Sequence, residues 1–415
     1  MPRIPALLAG LCVAALATAT QAADLALVGA RVYPAPDAAP IDNAVVLIHD
    51  GRIAGVGSRG AIPIPPGAAI DDVTGAVITA GFWNSHVHLI APVLLKARDL
   101  PDPVLGGILT DMFNRWGFTT VFDLASTMAS ANEIRGRITA GKVPGPHVLT
   151  VGEPFFPKDG TPIYVAELYR STGLPKPEIQ SIPEAVARVD RQVEQGADGV
   201  KLFTGAIVGG AIRVLPMPLD QARAVTAEAH RLGRPVFAHP TTQQGLDVAI
   251  EGGVDILAHT APDAGPWTPA FVARLKAHHM ALIPTMTLFD VEMKKEGAPA
   301  DAIQRELATV VQQVRAQSEA GGEVLFGTDV GYIDTVDTTE EYQLMGRAMD
   351  WRAILAALTT TPARRFHQAE RTGRVQAGLA ADLVVLNADP ATDVTAFAKV
   401  RETLRDGVVT WRRKD

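Results

Sequence analysis

The sequence predicts an α/β protein with a parallel (β/α)8 barrel of the TIM type and a small composite β-sandwich domain. Three observations support this prediction. Between residues 80 and 369, short apolar runs alternate with amphipathic helical patterns. The flanking segments, 23–79 and 370–415, contain short β-prone runs with glycine and proline turns. A length of 415 residues suits one large domain with a smaller satellite.

The two flanking segments are predicted to pair into one small domain formed by both ends of the chain. The first contains "LALVGARVY" and "NAVVLIHDGRIAGVG", and the second contains "GRVQAGLAADLVVLNADP" and "VRETLRDGVVTWRR". The letters "GVGSRG" match a dinucleotide-binding fingerprint, but that motif requires a helix after it. Here the proline-containing "AIPIPPGA" follows, so a hairpin turn is the better interpretation.

Eight apolar runs are predicted as barrel strands. Helical patterns such as "IPEAVARVDRQVEQG" and "PLDQARAVTAEAHRLG" separate several of them, as expected for repeated strand-helix units. After the opening strand at "AVITAGFWNSHVHL", the runs are "TTVFDLA", "PHVLTVG", "DGVKLFTG", "RPVFAHP", "DILAHT", "MALIPTM" and "EVLFGTDVG".

Residues 1–22 are predicted to be a signal peptide, so the protein is expected to be periplasmic or secreted. Arg3 provides the positive start, Leu7–Ala17 the apolar centre, and Thr20–Ala22 a small-residue cleavage site. The apolar run is shorter than the ~20 residues that span a bilayer, so no stable membrane anchor is expected. Cys12 is the only cysteine, and the mature chain would therefore have no disulfide and no thiolate metal ligand.

The overall composition excludes some partners. The chain is 47% hydrophobic and 20% charged, as in ordinary folded proteins. Its net charge of -7 gives no basic surface for nucleic acid, and no nucleic-acid partner is expected.

Polar residues end several of the predicted strands. In "GFWNSHVHL", His86 and His88 are two positions apart, so both imidazoles of this strand should point to the same side. The carboxyl ends of barrel strands meet at one face, where the active site of such a barrel lies. Neutral imidazole and carboxylate are ligands that suit zinc and similar divalent ions. The candidate residues are His86, His88, Lys201, His239, His259 and Asp329.

Each of these residues has an ordinary explanation when taken alone, such as a hydrogen-bonded histidine or an aspartate in a turn. Their combination is more informative, because accidental residues would scatter among strands, loops and helices. The other histidines fall in turns, helices or other strand positions and are not expected at the site: His49, His147, His230, His278, His279 and His367.

Together these motifs resemble the amidohydrolase superfamily of metal-dependent hydrolases, over nearly the whole mature chain. "GFWNSHVHL" resembles its first-strand His-x-His signature, and "GADGVKLF" its strand-four lysine. "AHP" and "AHT" resemble its fifth- and sixth-strand histidines, and "GTD" its eighth-strand aspartate. The general layout is most similar to the prolidase-like and imidazolonepropionase-like group.

The resemblance implies two divalent metal ions, expected to be zinc. A protonated lysine cannot bind a cation, so the resemblance implies that Lys201 is carboxylated on its amine and bridges the ions through two oxygens. A metal-bridging hydroxide would then attack the substrate, with Asp329 as the proton shuttle. The implied ligand set is His86, His88 and Asp329 on one ion, His239 and His259 on the other, and Lys201 between them.

The implied reaction is hydrolysis of an amide of the peptide or N-acyl amino acid type. Because relatives in this group cut such compounds, a small carboxylate-bearing substrate is expected, with Arg213 and Tyr332 as candidate contacts. Relatives also suggest a homo-oligomer. Three alternatives stay open: a cyclic-amide hydrolase or lactonase on the same centre, single-ion chemistry closer to deamination if Lys201 remains an amine, and a non-catalytic exported protein that binds metal or ligand.

Overall fold

The structure is a computed structural model that describes residues 25–209 and 213–414. The predicted signal peptide of residues 1–22 lies outside the described residues. The strands, in chain order, are β1 (Leu25–Val28), β2 (Arg31–Val32), β3 (Ala44–His49), β4 (Arg52–Ser58), β5 (Ala69–Asp72), β6 (Val77–Ala80), β7 (Phe82–Val87), β8 (Phe118–Asp123), β9 (His147–Thr150), β10 (Val200–Phe203), β11 (Gly205–Gly209), β12 (Arg213–Pro216), β13 (Val236–His239), β14 (Ile256–Leu257), β15 (Ala281–Leu282), β16 (Leu383–Leu386), β17 (Val400–Arg405) and β18 (Val408–Arg412).

The helices alternate with the barrel strands and then continue as a run near the end of the barrel. Within the described ranges, no helix combines the length and apolar character needed to cross a membrane. The helices are α1 (Pro92–Leu95), α2 (Asp102–Met112), α3 (Met128–Thr139), α4 (Ile163–Thr172), α5 (Ile182–Glu194), α6 (Leu219–Arg231), α7 (Gln243–Glu251), α8 (Pro269–Ala277), α9 (Met286–Lys295), α10 (Ala300–Glu319), α11 (Thr339–Ala348), α12 (Trp351–Leu358) and α13 (Thr360–Arg365).

The barrel prediction is confirmed. Strands β7, β8 and β9 pair in parallel, as do β10, β13, β14 and β15. An isolated parallel bridge from Phe155, after β9, to Leu202 of β10 joins these two sheets, and another joins Leu282 of β15 to Val324 at the eighth position. A further bridge from Val330 to Val87 returns to β7, so the ring closes on itself.

The eighth barrel position differs from its predicted form, because residues 324–330 make isolated bridges rather than a regular strand. The backbone of Asp329 is left-handed, with φ of 63°, and its N–H donates to the carbonyl of His86 at 2.9 Å. Gly327 lies two residues before Asp329. If this residue carried a Cβ atom, that atom would lie 2.3 Å from the Ile283 side chain and 2.8 Å from that of His86. The close approach to β7 requires glycine here and breaks the regular ladder.

The two ends of the chain meet in a five-stranded sheet of order β18-β17-β16-β6-β2. Strand β16 runs antiparallel to β6, with Leu383 opposite Ala80. A four-stranded sheet of order β4-β3-β1-β5 lies in the N-terminal segment, and its β4 contains the "GVGS" letters of the rejected nucleotide motif. One apolar cluster combines residues of both sheets, among them Leu27, Val46, Ile78, Val385 and Leu404.

Candidate metal centre

Three ligand atoms converge where β7 meets the eighth barrel position. His86 lies within β7 and His88 follows its last residue, so the strand alternation turns both rings toward the barrel mouth. Their Nε2 atoms are 3.2 Å apart. The Asp329 Oδ1 atom lies 3.1 Å from the Nε2 of His86 and 2.7 Å from the Nε2 of His88.

The chemistry of these three groups fits a divalent cation. Burial lowers the pKa of His86 to about 3, so this imidazole is neutral near pH 7. Burial opposes ionisation of Asp329, but His86 and His88 still hold its pKa well below the usual range. Ligand atoms about 2.0–2.1 Å from one zinc ion in a tetrahedral site lie about 3.3–3.4 Å from each other, and two of the three spacings observed here, 3.2 and 3.1 Å, are close to that.

The remaining candidates lie on the other side of His86. The rings of His86 and His259 have centroids 4.6 Å apart, and those of His259 and His239 are also 4.6 Å apart. Burial, followed by the charge of Lys201, lowers the pKa of His239 to about 3. Burial likewise holds the pKa of His259 well below its ordinary value. These histidines therefore present neutral nitrogen donors.

Lys201 completes the group as the second residue of β10, rather than at its end. The residue is 1% exposed, and its ammonium lies 5.7 Å from the centroid of the Phe203 ring. Burial lowers the pKa of this amine to about 7, although the Asp329 carboxylate opposes the shift. The structure thus brings all six sequence-predicted residues together, and their role as metal ligands stays a prediction.

Comparison with known proteins decides the family. A model of the amidohydrolase family matches residues 77–410, which is most of the chain. The chain belongs to the amidohydrolase family. It is therefore a hydrolase acting on carbon–nitrogen bonds, in a family that depends on metal, and both the predicted family and the predicted enzyme class are confirmed.

Three individual relatives are distant in sequence but similar over most of their length. The ochratoxinase of Aspergillus niger is 23% identical, over 91% of this chain and 84% of its own. The crystal structure of a putative prolidase from Bifidobacterium longum matches with a TM-score of 0.78 and 23% identity, over 94% of this chain and 95% of that one. A Xaa-Pro dipeptidase with methionine bound in its active site gives a TM-score of 0.77 at 17% identity, over 94% and 100%.

Around the six residues, this amidohydrolase uses Asn84 to tie β7 to the eighth barrel position. The Asn84 amide donates to Thr328 Oγ1 at 2.7 Å, and its Oδ1 accepts from the Thr328 N–H at 3.2 Å. The same oxygen accepts from the backbone N–H of His86 at 3.3 Å. One buried amide therefore fixes the distance between His86 and the Asp329 segment.

Asp123, the last residue of β8, holds the chain that follows His88. Its Oδ1 accepts from the backbone N–H of Leu89 at 2.9 Å, and its Oδ2 accepts from Thr150 Oγ1 at 2.6 Å and from Ser126 Oγ. Burial raises the pKa of this carboxyl, and the hydroxyl donors offset part of that rise. Asp123 is a positioning residue for the first-strand histidine pair.

Thr285 orients the His259 ring by contacting its Nδ1 atom. The Nδ1 of His259 lies 2.7 Å from Thr285 Oγ1, which leaves Nε2 as the nitrogen available to a metal. Thr285 has a left-handed backbone with φ of 45°, which is strained for a β-branched residue. Such a conformation persists only where its surroundings impose it.

Glu341 of α11 supplies that constraint. Its carboxylate accepts from the N–H groups of Met286 and Thr287 at 2.9 and 2.8 Å, at the start of α9 and directly after Thr285. Burial raises the pKa of Glu341 to about 7, while those same donors lower it. A buried carboxylate from a distant helix therefore caps α9 and holds Thr285 in place.

Sequence reasoning missed these supporting residues. Asp123 and Thr285 lie near the ends of the predicted strands "TTVFDLA" and "MALIPTM", so the strand-end rule that found the six candidates applied to them as well. Glu341 lies inside a helical pattern, and no local signal in the sequence separates it from a surface glutamate.

The two predicted substrate contacts lie in different surroundings. Tyr332 is half-buried, with its ring 6.5 Å from that of His88. Arg213 begins β12 and is exposed, in a hairpin that follows β10. Both assignments stay predictions.

A second cluster of possible ligands lies at the opposite end of the barrel, because His147 is the first residue of β9. We call His147, Arg371, Asp382 and Asp406 the basal clasp. Arg371 Nη2 lies 2.6 Å from His147 Nε2 and 2.9 Å from Asp406 Oδ1. An arginine already neutralises these carboxylates, so the clasp is an ion-pair cluster that joins β9 to the C-terminal segment.

Proposed function

We propose that this amidohydrolase cleaves an amide of the peptide or N-acyl amino acid type at a metal centre held by His86, His88, Lys201, His239, His259 and Asp329. The observation that carries the proposal is the convergence of His86 Nε2, His88 Nε2 and Asp329 Oδ1 within 2.7–3.2 Å of one another. Three buried ligand atoms this close, two imidazole nitrogens and a carboxylate oxygen, match the donor set of a hydrolytic zinc site.

The proposal includes carboxylation of Lys201. An ammonium next to two dications would be strongly repelled, whereas a carbamate would offer two oxygen ligands. The burial of this amine among three histidines supports the assignment, because burial disfavours its charged form. Native mass spectrometry should detect the mass of one added carbon dioxide, which Lys201→Ala should lose; full activity without that mass would contradict it.

The reaction assigns a proton-handling role to Asp329. When bound, the metal ions would supply a hydroxide nucleophile near neutral pH and polarise the substrate carbonyl. The Asp329 carboxylate is ionised, and its Oδ1 lies 3.1 Å from His86 Nε2 and 2.7 Å from His88 Nε2, so it would accept the proton released on attack. It would then pass the proton to the leaving nitrogen, so that one amide and one water yield a carboxylic acid and an amine.

The type of amide is supported by the similar structures. The putative prolidase and the Xaa-Pro dipeptidase are named for hydrolysis of dipeptides. A dipeptide carries a free carboxylate at its C-terminus. We extend this to the present chain as a small carboxylate-bearing substrate. Arg213 and Tyr332 are the proposed partners of that carboxylate, by charge and by hydroxyl respectively.

The test combines metal analysis with a substrate panel. Purified protein should contain one to two equivalents of a divalent metal and hydrolyse dipeptides or N-acyl amino acids, with activity lost on chelation and restored by zinc. Preference for hydantoins or lactones would favour the cyclic-amide hydrolase or lactonase alternative. Tight metal binding without turnover of any compound would overturn the proposal and favour a non-catalytic binding protein.

A further inference from the structure

The six side chains of the candidate centre are not equally covered. His86, Lys201, His259 and Asp329 are at most 5% exposed. His88 is 8% exposed, and His239 is half-buried. The centre is therefore open to solvent chiefly at His88 and His239.

Aromatic rings stand beside both of these histidines. The Tyr332 ring meets that of His88 edge-on at 6.5 Å, and the Tyr164 ring meets that of Tyr332 at 5.1 Å. On the other side, the Phe203 ring stacks on that of His239 at 4.7 Å with an interplanar angle of 19°. Phe156 packs edge-on against Phe203, also at 4.7 Å. Phe156 is 1% exposed and lies behind this layer, so we call Tyr164, Phe203 and Tyr332 the aromatic wall.

Helix α4 connects the two sides of this wall. Its residues Tyr164, Val165 and Tyr169 pack against a cluster that contains Phe156 and Phe203. The helix has no fully buried residue, and it ends at Gly173, whose φ of 68° stops it. Thus α4 rests on the aromatic cluster by one face while Tyr164 reaches across to Tyr332 on the loop after Asp329.

The chemistry of the wall favours an apolar partner. The Phe203 ring and the rings of Tyr164 and Tyr332 offer apolar faces and edges beside the centre, and the Tyr332 hydroxyl keeps its proposed contact to a carboxylate. Flat aromatic or bulky apolar groups pack against such rings better than small groups do. A substrate whose amide reaches the centre past His88 and His239 must place one of the groups that flank the amide against the aromatic wall.

We propose that the aromatic wall is a substrate subsite that selects amides with an aromatic or bulky apolar group next to the bond that is cleaved. This inference rests on the proposed function and adds the substrate class. Tyr164 is its specificity-determining residue, since it comes from a separate helix and contacts no metal-ligand candidate through its ring in the described chain.

The test compares substrates that differ in one ring. The zinc-loaded full chain is assayed with N-acetylglycine, N-benzoylglycine and N-acetylphenylalanine. The first compound has no ring, the second carries its ring on the acyl side of the amide, and the third carries its ring on the amine side. At least one aromatic compound should give the higher kcat/KM. Tyr164→Ala should lower that preference about threefold to tenfold, the scale of one aromatic contact, while Tyr164→Phe retains it.

Ile163→Ala is the matched control, because Ile163 is the preceding residue of α4 and is 47% exposed. It should leave the preference unchanged. An equal loss of kcat/KM for all three compounds in Tyr164→Ala, or a wild-type preference for N-acetylglycine, would overturn the inference and leave the proposed function standing.

Equilibrium binding separates the two proposals when turnover fails. Calorimetry with benzoate and acetate needs no catalysis, and benzoate should bind more tightly to wild type, with the difference reduced in Tyr164→Ala. If no amide is cleaved yet this difference appears, the subsite stands and the proposed function falls. Equal binding of benzoate and acetate in wild type would count against the subsite.

Discussion

At the residue scale, Asp329 combines an unusual backbone with an unusual environment. Its φ of 63° directs the carboxylate between His86 and His88, and its pKa is held well below the usual range by those rings. Asparagine is among the few residues that tolerate this backbone region, so Asp329→Asn changes the charge without adding backbone strain.

We expect Asp329→Asn to lower kcat by about 10²–10⁴, because the amide cannot accept and return the proton. Metal content should stay close to that of wild type, since an amide oxygen and five other candidate ligands remain. Steady-state kinetics and elemental analysis of the same preparation measure both quantities. Near-normal turnover in this variant would show that the proton role is misassigned.

Thr285 allows a separate test of how His259 is held. Thr285→Val keeps the shape of the side chain but removes the hydroxyl that lies 2.7 Å from His259 Nδ1. Loss of such an orienting bond typically lowers metal affinity about 10–100-fold. Competition for zinc against a chelator measures this change.

The control is Thr260→Val, because Thr260 is a buried neighbour whose hydroxyl makes no hydrogen bond to the described chain. Zinc affinity should be unchanged in this variant. A similar loss in both variants would mean that the effect comes from packing rather than from the bond to His259.

At the scale of elements, the basal clasp joins β9 of the barrel to the turn between β17 and β18. Burial opposes protonation of His147, but hydrogen bonds to Asp382 and Asp406 raise its pKa above the usual 6.5. Burial also opposes ionisation of Asp406, whose pKa is nevertheless lowered to about 2, first by His147. Arg371 and Arg405 face the same carboxylates.

These two pKa shifts determine how the stability that the basal clasp contributes depends on pH. A raised histidine pKa contributes stability that is fully present below about pH 6.5 and is lost as the pH rises through the folded-state value. We therefore expect His147→Gln to destabilise the protein more at pH 5.5 than at pH 8.5, as measured by urea unfolding. The Asp406 contribution is present above about pH 4 and is lost only toward pH 2.

His278→Gln serves as the control for this measurement, because His278 is exposed at the end of α8. Its effect on the unfolding midpoint should be small at both pH values. A destabilisation by His147→Gln that is the same at pH 5.5 and pH 8.5 would exclude a charged histidine in the clasp.

At the scale of the whole molecule, export is a proposal that rests on residues 1–22. We expect the mature protein to begin at Ala23, after the small residues Thr20–Ala22. Expression of the full chain in a Gram-negative host, followed by intact-mass measurement of the periplasmic fraction, tests the cleavage position. Full-length protein retained in the cytoplasm would contradict the proposal.

The sequence by itself determined the barrel and the positions of the six candidate residues. Both follow from local patterns, because apolar runs alternate with amphipathic helices and the carboxyl ends of parallel strands meet at one face. His86, His88, His239 and His259 could be named because each lies at or near the end of a short apolar run. The family then followed from the same motifs.

Only the tertiary structure decided how those residues are held and what surrounds them. The cap from Glu341 to the start of α9 joins positions 54 and 55 residues apart, and Tyr164 meets Tyr332 across a still longer separation. The irregular eighth barrel position likewise depends on the close packing of Gly327 against β7 and against the Ile283 side chain. Hydrophobic periodicity within a segment predicts its secondary structure but not which distant segment it contacts. These contacts therefore could not be predicted from the sequence pattern.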